Sequence, residues 1–474
     1  MPTTHTSDLT GSDAAELEAA ARAVLDDNWL GASTVPSRSL YPHQWSWDSA
    51  FIAIGRSWYD QQRAQTELET LFNVQWANGM LPHIVFNPAV APGSYFPGPD
   101  FWQSDRASGP PQGAATSGIT QPPLHAAAAL EVYRHAADPP EALAFLERLY
   151  PKLVAQHAYL TSWRDPDRRG LAAIVHPWES GLDNSPAWDH LLDDLVIPPG
   201  ALPPYRRFDV LHADPADRPT DAAYDRFVYL AASYRDAGYD DTTLLARSPF
   251  LIQGPLFNAI WRWSAQALAN IARLVGDDPA PHQADAERIH QAMVRELWDP
   301  QGRRFGTRDV RAGRRTPEDT ILAFVPLLDP GLPRSMVAAI VELLGSPCFH
   351  PAEPVEHYLV PTYDLRAPGF DPRRYWRGPV WVNTDWLLWL GLRQHGVEGL
   401  AAELRSSMLG LVRRSGFREY FHPFGGQGYG ASGFAWTAAL VVDVLHRERT
   451  RPTASGDGAM SPQRTISCGR SWAR

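Results

Sequence analysis

Residues 254–276 read GPLFNAIWRWSAQALANIARLVG, and within them Leu256, Ile260, Trp263, Ala267, Ile271 and Leu274 recur at steps of three and four. That period puts all six on one face of an α-helix, the stripe expected of a half-buried helix. Similar patterns predict helices near 48–58, 61–77, 122–136, 140–163, 219–237, 282–297, 317–327, 333–344, 381–395, 399–414 and 433–447. A first helix is expected from Asp13 to Trp29, with Asp13 as N-cap and Glu16 at capping-box spacing. Its apolar face would be Leu17, Ala21, Val24 and Leu25. Strand-like alternation is scarce. About a dozen helices joined by long Pro-, Gly- and Trp-rich connections point to an all-α chain whose paired helices close into a toroid, an (α/α)6 barrel. An open helical solenoid fits the same helices, although no fixed-period repeat is present.

Composition narrows the function classes. The chain has 474 residues, 44% hydrophobic and 20% charged, so a sizeable core is available. A net charge of −10 argues against nucleic acid or an anionic membrane as partner, since both require a basic face. Two cysteines, Cys348 and Cys468, make no disulfide framework, and the histidines are too scattered for a metal site. No apolar run reaches the roughly 20 residues of a membrane span, and MPTTHTSDLT lacks the layout of a signal peptide. The expectation is a cytoplasmic protein with no metal and no cofactor. A homo-oligomer is compatible with the sequence.

Residues 12–448 are expected to form the helical catalytic domain, after a flexible segment 1–11 and before an apolar-poor tail, 449–474. Two long irregular stretches, 79–121 and 164–218, are rich in Pro, Gly, Asp and aromatics. Loops of that length inside a compact domain are usually functional, and these are expected to roof a site.

Four islands concentrate aromatic and acidic residues in polar company. They are YPHQWSWDSAFIAIG (41–55), VHPWESGLDNSPAW (175–188), RRYWRGPVWVNTDW (373–386) and REYFHPFGGQGYGASGFAWTAAL (418–440). Indoles stack on the C–H faces of sugar rings and donate through N–H, so with 18 Trp in the chain these islands suit a carbohydrate cleft. Glycoside hydrolysis needs two carboxyl groups across the scissile bond. Asp183, Glu419, Asp48 and Glu179 are the candidates. Burial against Trp178 and Trp188 would keep Asp183 protonated, as an acid requires. Glu419 adjoins a Gly-rich loop, a suitable place for a base that must meet water. Asp48 also fits the N-cap of the following helix. The Gly-rich loop follows no predicted strand and ends in no Lys-Ser/Thr, so it reads as a pocket wall and not a phosphate cradle.

Together, in this order, the four islands resemble glycoside hydrolase family 63 and its (α/α)6 relatives, above all the small bacterial mannosylglycerate and glucosylglycerate hydrolases. The resemblance runs from about residue 12 to 448. It implies inversion at an α-linked sugar, with Asp183 as general acid, Glu419 as general base and a carboxyl separation of about 6.5–9.5 Å. It assigns Tyr41, Gln44, Trp45, Trp47 and Asp48 to the sugar subsite, and Tyr375, Trp376, Arg377 and Trp381 to the opposing wall. Trp178 and Glu179 are placed beside the acid, Glu179 serving a sugar hydroxyl or supporting Asp183. Arg218 and Tyr224, with Tyr95 and Gln121, are assigned to the carboxylate of a glycerate aglycone, which the planar guanidinium fork suits. Arg218 also reads as an exposed residue just before a helix. The substrate implied is a small charged glycoside, glucosylglycerate or mannosylglycerate, whose sugars differ in one hydroxyl orientation that no motif here resolves. The competing readings are a neutral-sugar α-glucosidase for trehalose or oligosaccharide ends, a sugar isomerase, and a sugar-binding protein without catalysis.

Overall fold

The computed structural model describes residues 10–316, 319–351 and 357–450. The expected segments 1–11 and 449–474 lie almost wholly outside the described residues. Helix dominates. Among the described residues the longer helices are α1 Gly11–Asp27, α2 Ser46–Arg56, α3 Gln61–Phe72, α4 His125–Arg134, α5 Pro139–Trp163 and α6 Asp221–Asp236. They continue as α7 Pro255–Val275, α8 Ala280–Ala292, α9 Arg334–Leu344, α10 Val382–Gln394, α11 Glu398–Ser415 and α12 Ala435–Arg449.

Their packing is sequential and returns on itself. Helix α2 packs on α4 and α4 on α7; α7 then meets the turns Ile321–Ala323 and Val325–Leu328. The turn Val325–Leu328 packs on α10, α10 on α12, and α12 again on α2. Outside this circuit α1 lies on α12, α3 on α2, α5 on α4 and α7, α8 on α7, and α11 on α10. The ends of the described chain close the seam: Asn28 Nδ2 donates to Gly433 O at 2.7 Å, and Ala435 N to Pro36 O at 2.9 Å.

Position in the circuit explains why α7 is more buried than its stripe predicts. Trp261, Arg262, Ala265, Leu268, Ala269 and Ala272 lie off the stripe and are buried too, while Leu274 on the stripe is 36% exposed. A helix covered on both sides carries apolar residues nearly all round. Two sequence expectations need correcting. Thr10, not Asp13, caps α1, its hydroxyl accepting from Asp13 N at 3.2 Å. The helix expected at 317–327 is instead two 3-10 turns, Ile321–Ala323 and Val325–Leu328. Pro326 has no N–H to give and disfavours a continuous helix there; it sits instead in the first turn of Val325–Leu328. Residues 317 and 318 lie outside the described residues.

The irregular stretches carry only short pieces, among them Pro99–Trp102, the 3-10 turn Pro177–Ser180 and Asp209–His212. They supply many of the side chains around the central cavity. No described helix is long and apolar enough to cross a membrane.

Candidate active site

The fourth island folds as a hairpin, Arg418–Phe421 against Gly428–Ser432, leading into α12. Arg418 pairs with Ser432 and Tyr420 with Tyr429, and the register shifts between them, at Glu419. Such an irregularity re-aims the side chain at its centre. Glu419 is buried, and its carboxylate is held from both ends. Oε1 accepts from the Tyr41 hydroxyl at 2.7 Å and lies 3.3 Å from Arg218 Nη1; Oε2 accepts from Ala431 N at 2.9 Å. Gly430 makes this possible. It sits at φ +66°, and a Cβ there would fall 2.2 Å from Glu419 Oε2.

The second island places the other carboxyl. The turn Pro177–Ser180 ends at Gly181 with φ +76°, where a Cβ would come within 2.5 Å of the Trp47 ring. The chain therefore passes close under Trp47 and delivers Asp183 to the cavity. Trp188 Nε1 donates to Asp183 O at 2.9 Å and fixes the backbone there. Burial pushes the Asp183 carboxyl up, the Arg218 cation opposes this, and the Glu419 charge adds to it. The result is a value of about 7. At neutral pH such a group is about half protonated, so it can give its proton away and regain it.

The remaining walls come from several elements. Tyr41, Trp45, Trp47 and Asp48 enter from the start of α2, and Tyr375 and Trp376 from the third island. Trp178, Tyr95, Gln121, Arg218 and Tyr224 come from the long loops and the start of α6. The space they enclose, counted out to its mouth, is about 950 Å³. Helix α2 begins at Ser46 with Trp45 in the cap position and no side-chain cap, so Asp48 is not its N-cap. Asp48 is buried, which pushes its carboxyl well above the usual range. Arg218 is buried, not exposed. Its guanidinium lies over the Tyr375 ring at 4.1 Å and donates to the Tyr41 hydroxyl at 3.0 Å. Its Nε lies 3.3 Å from Asp209 Oδ2, and Arg207 grips that same carboxylate through two bonds.

Four nominated residues stand behind the walls and do not line the cavity. Gln44 is buried against Glu67 and Ser49. Glu179 is clasped by Arg164 at 2.8 and 2.6 Å, and also accepts from Val175 N and Thr120 N. It braces the turn that carries Asp183 and does not line the cavity. Arg377 forks onto Asp189 at 2.8 and 2.7 Å. Trp381 stacks behind Trp376 at 3.6 Å and donates to Tyr375 O. Conversely, the cavity is lined by Asp209, Phe96, Phe434, Trp436 and His83, which the sequence reading passed over. Phe434 and Trp436 lie inside the fourth island and were there to be chosen. Asp209 opens the short helical turn Asp209–His212, within a stretch that has no periodic pattern of its own. Among the described residues no cluster of three or more His, Cys, Asp or Glu could hold a metal ion.

An aromatic-walled cavity lined by the carboxyls of Asp48, Asp183, Asp209 and Glu419 is a centre of glycosidase type, and comparison with known proteins agrees. The model of the mannosylglycerate hydrolase MGH1-like glycoside hydrolase domain matches residues 41–437, and the chain belongs to this family of glycoside hydrolases. It is 43% identical to the mannosylglycerate hydrolase of Rubrobacter radiotolerans over 435 residues, covering 92% of this chain and 98% of the relative. It is 39% identical to the glucosylglycerate hydrolase of Mycolicibacterium hassiacum over 446 residues, covering 91% and 98%. The GH63 mannosylglycerate hydrolase of Thermus thermophilus, in complex with Tris and D-glycerate, superposes with a TM-score of 0.83 at 40% identity. That match covers 90% of this chain and 99% of the other. Neutral trehalase Nth1 of Saccharomyces cerevisiae, at 16% identity and a TM-score of 0.54, shares the fold alone.

Proposed function

We propose that this chain is an inverting α-glycosidase of (α/α)6 architecture that releases sugar from glucosylglycerate or mannosylglycerate. The observation that carries the reading is the pair Asp183 and Glu419, delivered by separate elements to one cavity with Arg218 at its polar end. Asp183, which keeps a large protonated fraction up to neutral pH, donates to the glycosidic oxygen as the bond breaks. Glu419, its carboxylate oriented by Tyr41, Arg218 and Ala431 N, takes the proton of the attacking water. The aromatic walls hold the ring and exclude bulk solvent, which strengthens every charge interaction inside. Arg218, stacked on Tyr375 beside Tyr41, is the cation for the glycerate carboxylate, with Tyr95, Gln121 and Tyr224 around it. The names of the relatives support both sugars, glucose and mannose differing by one hydroxyl orientation. The helix circuit from α2 through α7 and α12 back to α2 supports the toroid.

The test is a hydrolysis panel of glucosylglycerate, mannosylglycerate, trehalose and an aryl α-glucoside, run on wild type and Arg218→Ala. Arg218→Ala also loosens Glu419, so turnover falls on every substrate; a preference for a glycerate glycoside that collapses in the variant, the charged glycoside losing far more than the aryl glucoside, supports the reading. Equal or better turnover of trehalose makes the enzyme a neutral-sugar glucosidase instead. Tight binding without sugar release makes it a binding protein.

A further inference from the structure

Arg218 touches more than a prospective aglycone. Its Nη1 lies 3.3 Å from Glu419 Oε1, and its Nη2 donates to the Tyr41 hydroxyl that itself donates to that oxygen. It is the only cationic side chain among the described residues that pairs with Glu419. Arg218 is also the foremost charge opposing the upward push of burial on Asp183. The other titratable groups facing Glu419 supply no cation. They are the phenols Tyr41, Tyr375 and Tyr420, the buried Asp48, and Asp183 itself. Asp209 neutralises Arg218 only in part, because Arg207 shares its carboxylate at 2.6 and 3.0 Å.

The guanidinium also has donors to spare. Asp209, Glu419 and Tyr41 engage Nε, Nη1 and Nη2 in turn, and each terminal nitrogen carries a second N–H. Tyr375 beneath the guanidinium plane fixes its orientation. A carboxylate arriving at the cavity side of Arg218 therefore adds a negative charge without evicting Glu419.

We propose that Arg218 couples the protonation of the acid Asp183 to the charge of the aglycone: a bound substrate carboxylate neutralises the cation that lines the same cavity as Asp183 and pairs with Glu419. Asp183 then keeps its proton to higher pH only when the charged substrate is in place. Selectivity for an anionic aglycone thus acts on the chemical step as well as on binding. This rests on the glycerate reading above and goes one step past it.

The experiment compares kcat–pH profiles of the wild-type enzyme on the preferred glycerate glycoside and on the same sugar linked to glycerol, where CH2OH replaces the carboxylate. The kcat profile reports groups in the enzyme–substrate complex. The alkaline limb, set by Asp183, should lie about one pH unit higher with the charged substrate, the scale of one added charge at a few ångströms in a partly screened site. In Arg218→Gln the profile on the glycerol glycoside should already be displaced upward, and the two substrates should no longer differ in position. Superimposed wild-type profiles, with the glycerate glycoside still preferred, overturn the coupling and leave the substrate assignment standing. Hydrolysis of the glycerol glycoside alone overturns the substrate assignment and the coupling with it. The wild-type comparison needs no variant to fold.

Discussion

The unusual protonation of Asp183 has a consequence for stability. An aspartate ordinarily titrates near 3.8, and this one titrates at about 7, chiefly because it is buried. A folded-state value raised above the unfolded one means that the group's contribution is fully present below about 3.8. It is lost progressively as pH rises through about 7. The interval is about three pH units at ~1.4 kcal/mol each, or about 4 kcal/mol. The cavity leaves Asp183 partly exposed, so solvent screening reduces this, and about 2 kcal/mol is the reasonable expectation. Asp183→Asn cannot ionise and escapes the loss. Urea unfolding of wild type and variant at pH 4.5 and pH 8.5 should show the variant gaining about 2 kcal/mol relative to wild type on going to the higher pH. Over the same range the variant should retain almost no hydrolysis of its glycoside. A stability difference independent of pH would refute the argument, because it would mean that Asp183 is ionised throughout and is not the stored proton.

Two further substitutions probe the scaffold around the carboxyls. Gly430→Ala puts a Cβ at φ +66° and 2.2 Å from Glu419 Oε2. Displacing the base by about 1 Å should cost about 100-fold in kcat, measured by steady-state kinetics, with sugar affinity by calorimetry little changed. Arg164→Met strands the buried Glu179 carboxylate that braces the Asp183 turn. It should lose about 3–5 kcal/mol by urea unfolding; a loss under 1 kcal/mol would mean that the pair does not hold the turn.

How much of this was legible in the sequence depended on the range of the interactions involved. Helix α7 announced itself through local periodicity, and so did most helices, within a few residues at each end. What periodicity missed was context. The helix expected at 317–327 yielded to Pro326, and α7 proved buried on two sides because helices flank it in the circuit. At the site, aromatic islands pointed to Tyr41, Trp47, Trp178 and Tyr375 because an indole or phenol in polar company is a local signal. Membership of an island did not say which side of the wall a residue occupies. Glu179 and Asp183 lie four apart in one motif, yet the turn at Gly181 sends one to Arg164 and the other to the cavity. Asp209 was invisible because its role exists only through Arg207 and Arg218, which fold beside it from the same patternless loop.

The stereochemistry of the released sugar tests the central claim most directly. In an inverting reaction Glu419 activates a water that attacks opposite the bond Asp183 is breaking, so an α-glycoside must give the β-anomer first. Proton NMR of the hydrolysis of glucosylglycerate or mannosylglycerate, recorded before mutarotation, should show the β-anomeric signal rising ahead of the α. Early appearance of the α-anomer would contradict the account, since it would require a covalent intermediate and a nucleophile where we place a base.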